Sequence, residues 1–256
     1  MSPTQPQGLD LLLFTATFNE AGNIREWYDR VRAVYPLADL LVVDDSSPDG
    51  TARIVEDLQA KDPALHLIVR PAKSGLGSAH RAAMVFALEH DYQALVTMDA
   101  DLSHQPEQLP LLVAKIPEYD FVIGTRHGEG STDYTGFRLF LSRGGNLAAR
   151  LFIPTGLTEY TNAMRAFSPR ALEALFTGGI RDDGYAFFME CVDVLYRSGC
   201  RLTEVPVHFD DRTRGQSKIP RHQIWLSAST LARLSSGRLF KRRPKSARPL
   251  PSRRQG

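Results

Sequence analysis

Short apolar runs alternate with amphipathic segments along the first half of the chain. Residues 9–14 (Leu-Asp-Leu-Leu-Leu-Phe) are apolar almost throughout, which suits a buried strand. Residues 21–34 then set Ile24, Trp27, Tyr28, Val31 and Val34 at the three-and-four spacing of one helix face. The same alternation predicts strands at 40–43, 65–69, 95–98 and 121–124, and helices at 51–60, 79–89 and 106–115. Strands separated by helices of this length need right-handed crossovers, so the pattern predicts an α/β fold with a mainly parallel sheet flanked by helices.

The second half is less regular. It predicts a long helix at 137–152, a short helix after Ser168 and Pro169, and a mostly apolar helix at 185–196. Residues 202–209 read as a strand in which Pro206 favours an edge. Ile224, Ala228, Leu231 and Leu234 mark a last amphipathic helix. No internal repeat is visible.

A parallel sheet binds ligands at the carboxyl ends of its strands. The polar clusters of this sequence fall there: 17–20, 44–47, 71–73, 99–101 and 125–126 follow the five predicted strands in turn. The most informative is Asp99-Ala100-Asp101. Two carboxylates one residue apart repel each other unless a positive charge sits near them, and a divalent cation with oxygen ligands, carrying a diphosphate, answers that need. Taken alone, the pair is also what a polar turn after a strand looks like. Asp101, supported by Asp99, suits the metal; Asp45 suits a base or ribose, with helix capping as the competing role in a segment rich in turn formers. Ser47 or Asp49 takes the capping role more naturally. Residues 73–78 (Lys-Ser-Gly-Leu-Gly-Ser) lack the spacing of an ATPase phosphate loop, and their glycines suggest backbone passing close to a ligand. Residues 212–218 form a cationic, glycine-containing loop able to close over a diphosphate, although a plain surface loop has the same composition.

Composition narrows the class. The chain has 256 residues, 43% hydrophobic and 23% charged, as expected of a globular protein. Cys191 and Cys200 make no disulfide framework and read as small core residues of a reducing compartment. Residues 1–8 are rich in Pro and Gln and carry no secretory signal. No run of about 18 apolar residues is present, so no transmembrane helix is expected; the nearest stretch, 136–153, contains Arg138, Arg143 and Arg150. The net charge is only +2, yet 238–254 carries many Arg and Lys and no acid. Such an end suits an anionic lipid surface, a nucleic acid or a solvated tail. A nucleic-acid module is disfavoured because no aromatic platform or binding motif accompanies the charge. A dinucleotide-binding dehydrogenase is disfavoured because G-x-G-x-x-G is missing after the first strand.

Together these segments resemble the family 2 glycosyltransferases of the GT-A fold, a Rossmann-like nucleotide-diphospho-sugar transferase fold, and within them the dolichyl- or polyprenyl-phosphate mannosyltransferases. The resemblance rests on 16–20 (Ala-Thr-Phe-Asn-Glu), 43–51, 70–78, 98–104, 124–126, 142–146, 204–206 and 212–218, in family order, and covers roughly residues 9–235. It implies an inverting hexosyltransferase that moves mannose from GDP-mannose to a polyprenyl monophosphate with Mg²⁺ or Mn²⁺. The same fold with another donor, such as UDP-glucose, or a non-lipid acceptor is the alternative. Carried over by motif, Ala16, Phe18, Glu20, Val43, Asp45 and Lys73 line the nucleotide pocket, continued by Asp99 and Ala100. Asp101 and Ser103 hold the metal; Arg126, Arg212 and Lys218 meet donor phosphate; Arg138 and Arg143 receive the acceptor phosphate; Asp101 and Arg126 are the catalytic pair. Departures from the pattern are Ala16 for Pro, Phe18 for Tyr, Glu159 for Asp in the segment 159–165, and Phe188 for Gln before Met189-Glu190.

The domain expectation is a disordered 1–8, one catalytic domain at 9–236 and a basic, disordered tail at 237–256. The acceptor is a membrane lipid, so the resemblance implies a peripheral protein on the cytoplasmic face of the membrane, touching lipid through 224–240 and the tail or through a membrane partner subunit.

Overall fold

A computed structural model describes residues 9–133, 136–180, 182–184 and 186–210; for 136–143 it describes the backbone alone. The order is β1 (Leu11–Thr17), α1 (Ile24–Val34), β2 (Asp39–Asp44), α2 (Thr51–Gln59), β3 (Leu65–Val69), α3 (Leu76–Glu89) and β4 (Ala94–Thr97). A 3-10 turn (Pro106–Gln108) leads into α4 (Leu109–Val113), followed by β5 (Phe121–Thr125), β6 (Ser131–Thr132) and α5 (Gly136–Phe152). The described chain then continues through β7 (Arg165–Phe167), α6 (Pro169–Gly178), α7 (Phe187–Arg197), β8 (Leu202–Pro206) and β9 (His208–Phe209).

The main sheet has the order β3-β2-β1-β4-β7-β5-β8. Only β7 runs antiparallel, to β4 on one side and β5 on the other. The chain therefore forms the expected α/β fold with a mainly parallel sheet. Side chains alternate across it: Leu12, Phe14, Leu41 and Val43 join the core under α3, α6 and α7, whereas Leu11, Leu13, Leu40 and Val42 join the core under α1, α2 and α4. Burial on both faces is why β1 and β2 read as continuous apolar runs.

Two expectations are refined. Residues 202–209 form two strands: β8 ends at Pro206, and Val207 separates it from β9, which pairs with β6 in a small second sheet. Among the described residues Pro206 closes a strand paired only with β5, where its missing N–H costs no ladder bond. The other is β7, which the apolar pattern did not announce. It is three residues long and opens on Arg165, a completely buried side chain. Arg165 donates to the carbonyls of Asn162, Tyr160 and Phe188 at 2.6, 2.7 and 3.0 Å, and its guanidinium lies 4.6 Å from the Phe188 ring centre. Burial lowers its pKa to about 10, still cationic at neutral pH. Among the described residues no helix is long and apolar enough to cross a membrane. Residues 1–8, the predicted helix after 224 and the basic tail lie outside the described residues.

Candidate active site

The order of the sheet reverses direction at β1, whose neighbours are β2 and β4. Loops leaving β1 and its neighbours then diverge and open a crevice at their carboxyl ends. Thr17, the last residue of β1, donates through its hydroxyl to Asp44 at 2.7 Å. Asp44 also accepts from the Ser47 amide and hydroxyl at 2.8 and 2.6 Å, so its carboxylate is the knot joining the first two loops. Ser47 in turn accepts from the Asn19 amide at 2.9 Å, and Asn19 and Ser46 adopt left-handed φ values of 60° and 52°. Asp49 accepts from the Thr51 amide at 3.1 Å in the turn before α2, but the N-cap of α2 is Gly50, with φ 87° and no side-chain capping bond, so neither Ser47 nor Asp49 takes the capping role expected of them.

Asp45 is buried and pairs with Arg70, whose guanidinium also donates to the Gly75 carbonyl at 3.2 Å. The carboxylate expected at a base or ribose thus lies beside a cation, Arg70. Lys73 and Phe18, both expected around a nucleotide, meet directly: the ammonium lies 4.3 Å from the ring centre. Ala16 and Glu20 are half-buried and Val43 is buried at the same edge.

The two glycines of 73–78 pass close to protein backbone. Gly77 donates from its amide to Asp183 at 2.8 Å, and a Cβ added there would stand 2.8 Å from the Asp182 carbonyl and 2.9 Å from Phe187. The close neighbour is therefore protein backbone at 182–184. Arg81 pairs with Asp183, and Glu190 accepts from the Asp182 amide at 2.9 Å, pinning that segment against the start of α3.

The acidic turn follows β4. Asp101 is 6% exposed and accepts from both the amide and the hydroxyl of Ser103, at 3.1 and 2.7 Å. Between them Leu102 has φ 61°, a left-handed conformation uncommon for a leucine and characteristic of strained functional turns. Asp99 is one-third exposed, and its amide donates to His104 Nδ1 at 3.0 Å. That bond makes Nδ1 the acceptor and puts the neutral ring's proton on Nε2, 3.9 Å from the Asp99 carboxylate. Asp101, Ser103 and Asp99 thus offer an all-oxygen donor set within five residues, which fits a hard cation such as Mg²⁺ or Mn²⁺. Asp133, His208 and Asp210 form another group with ligand-capable atoms within 4.8 Å of one another. Asp210 donates from its amide to the Ser103 carbonyl at 3.2 Å and accepts from Gln105 at 2.8 Å, so this group borders the loop of the acidic turn.

Phe209 was not foreseen. Its buried ring meets His104 edge-on at 4.7 Å and lies 4.9 Å from the Arg126 guanidinium, so one side chain stands between the acidic turn and the end of β5. Arg126 is itself only 8% exposed. It donates through Nε to Glu159 at 2.8 Å and through Nη2 to Glu159 and Thr161 at 3.3 and 3.1 Å. Burial alone would raise the Glu159 carboxyl, but the charge and hydrogen bonds of Arg126, with those of Thr161, bring it down to about 2. Asn146 accepts from the Tyr160 amide at 2.8 Å and lies 3.1 Å from His127, tying α5 to the same loop. Arg138 and Arg143 lie on α5, whose backbone is described there; their side chains, and Arg212 and Lys218, lie outside the described residues.

The sequence matches the family described as glycosyl transferase family 2 over residues 13–176. It is 38% identical to the undecaprenyl-phosphate mannosyltransferase of Micrococcus luteus over 82% of this chain and 87% of that protein. It is 34% identical to the polyprenol monophosphomannose synthase of Mycolicibacterium smegmatis over 81% of this chain and 80% of that one. Among solved structures, glucosyl-3-phosphoglycerate synthase from Mycobacterium tuberculosis, in complex with Mn²⁺, UDP and glucosyl-3-phosphoglycerate, shares the fold with a TM-score of 0.65 at 18% identity, covering 90% of this chain and 81% of that one. A mannosyltransferase from Pyrobaculum calidifontis in complex with GDP-Man and Mn²⁺ gives 0.59 at 20% identity, covering 95% and 68%. The acidic turn, the strand-end residues at one sheet edge and this similarity along most of the chain agree, and the chain belongs to glycosyl transferase family 2.

Proposed function

We propose that this glycosyltransferase moves mannose from GDP-mannose to a polyprenyl monophosphate with inversion at the anomeric carbon, at the cytoplasmic surface of a membrane. The observation that carries the reading is the gathering of the acidic turn 99–103 and Arg126 around Phe209 at the carboxyl edge of the sheet, in a chain with 38% identity to an undecaprenyl-phosphate mannosyltransferase. Ala16, Phe18, Glu20, Val43, Asp45, Lys73, Asp99 and Ala100 receive the nucleotide. Asp101 and Ser103 hold Mg²⁺ or Mn²⁺, which when bound offsets the charge of the departing diphosphate. Arg126, Arg212 and Lys218 meet the donor phosphates, and Arg138 and Arg143 orient the acceptor phosphate. A phosphate monoester is already ionised at neutral pH, so its oxygen needs no strong general base, and positioning with charge neutralisation supplies most of the catalysis.

The test is transfer of labelled mannose from GDP-mannose into a chloroform-soluble product with polyprenyl phosphate and Mg²⁺ or Mn²⁺ supplied. Asp101→Asn is expected to abolish transfer with an unchanged melting temperature. Unchanged activity of that variant would overturn the metal assignment. Absence of lipid-linked label with every nucleotide sugar offered, UDP-glucose included, would overturn the acceptor.

A further inference from the structure

Arg126 does not reach the site as a loose side chain. Its guanidinium is gripped along one edge by Glu159 and Thr161, while the ring of Phe209 lies 4.9 Å away. Glu159 is completely buried, and its Oε1 also accepts from the Thr161 amide and hydroxyl at 2.9 and 2.8 Å and from the Tyr160 amide at 3.1 Å. The loop that carries it is fixed from both sides. Glu204 on β8 accepts from the Thr158 amide and hydroxyl at 2.7 and 2.8 Å, and Arg165 holds the carbonyls of Tyr160 and Asn162. A carboxylate held ionised in this way is a poor proton acceptor, so a role as general base does not suit it.

We infer that Glu159, assisted by Thr161, is a positioning residue that sets the plane of the Arg126 guanidinium against Phe209 for contact with the donor diphosphate. This rests on the proposed placement of Arg126 at the donor phosphates. A bidentate carboxylate fixes the direction of the fork as well as its charge, and an arginine so held loses little further freedom when a phosphate arrives. Glu159→Gln keeps the shape but removes the charge that orients Arg126; Thr161→Val removes the hydroxyl bridging the two side chains.

The experiment uses the full chain and the variants Glu159→Gln, Glu159→Asp, Thr161→Val, Arg126→Lys and the double variant Arg126→Lys/Glu159→Gln. Transfer kinetics are read as kcat and KM, GDP and UDP are titrated by calorimetry, and melting curves are recorded beside them. Thr161→Val is expected to lower kcat about tenfold, the scale of one hydrogen bond to a charged group, with a near-unchanged melting temperature. Glu159→Gln should lower it further, and Glu159→Asp should recover part of the loss by restoring the charge. The double variant should be no slower than Arg126→Lys alone, because both changes disable the same guanidinium. Multiplying effects, wild-type kcat in Thr161→Val, or wild-type kcat in Arg126→Lys would each overturn the inference while leaving lipid-linked mannose in the wild-type assay intact. If Glu159→Gln fails to fold, Thr161→Val decides. If the wild type makes no lipid product, nucleoside diphosphate affinity decides: equal affinity in wild type and Thr161→Val overturns the inference, and a weakened one supports it.

Discussion

His80 on α3 allows a quantitative prediction about acid stability. Its imidazole is 2% exposed and sits among Phe14, Phe187 and Phe188, with ring centres at 5.0, 5.4 and 5.1 Å. Nδ1 lies 3.0 Å from the Leu76 carbonyl, and Nε2 has no hydrogen-bond partner among the described residues. Burial pushes the pKa down from 6.5 to about 4, the nearby charges of Arg165 and Arg70 working in the same direction. The depressed folded-state value means that the unfolded chain takes up a proton first as pH falls. The neutral ring's contribution is therefore full above the unfolded value and is lost as pH falls from there towards the folded one. Linkage at about 1.4 kcal/mol per pKa unit gives a loss of about 2 kcal/mol between about pH 7.5 and about pH 5. With a urea m-value of about 2.5 kcal/mol/M, the wild-type midpoint should move about 0.8 M further than that of His80→Phe, which has nothing to titrate at this position. Exposed histidines act alike in both proteins and cancel in the comparison. Parallel loss of stability in wild type and His80→Phe would refute the reasoning.

Two further predictions concern packing near the site. Gly77→Ala places a methyl against the Asp182 carbonyl and Phe187 and should cost about 1–3 kcal/mol by urea unfolding, whereas Gly144→Ala on α5, where a Cβ meets nothing within 4 Å among the described residues, should be neutral or stabilising. Arg165→Met strips a donor from three buried carbonyls and should cost about 3 kcal/mol or more, seen as a lower urea midpoint.

The apolar pattern revealed β1 to β5 because β1, β2, β4 and β5 are buried almost throughout and β3, at the sheet's edge, keeps Leu65, Leu67 and Ile68, while α1, α2 and α3 are long enough to show a helical period. It missed β7 because a three-residue strand has too few positions to show a period, and because Arg165 hides a completely buried site behind a charged residue type. The acidic turn and the nucleotide-side residues were legible because strand ends collect them at one edge. The partners Arg70, Glu159 and Phe209 were not, since each acquires its meaning from a neighbour 25 or more positions away. Glu159 did leave a trace, as one of the residues departing from the family pattern. The glycines at 75 and 77 signalled a close approach, but spacing alone cannot tell ligand from backbone, and here the neighbour is the segment 182–184.

The reversed strand β7 has a geometric consequence for what the sheet presents. A parallel strand delivers the loop that follows it to the ligand edge, whereas an antiparallel one delivers the loop that precedes it. Glu159, Thr161 and Asn162 therefore arrive at the crevice upstream of their strand. By standing between β4 and β5, β7 also holds the acidic turn and Arg126 two strand spacings apart, about 10 Å at the sheet's edge. Without that insertion the two loops would leave neighbouring strands, at about half the distance. A single backward strand thus acts as the spacer that sets how wide a charged group can be while still touching both ends of the site.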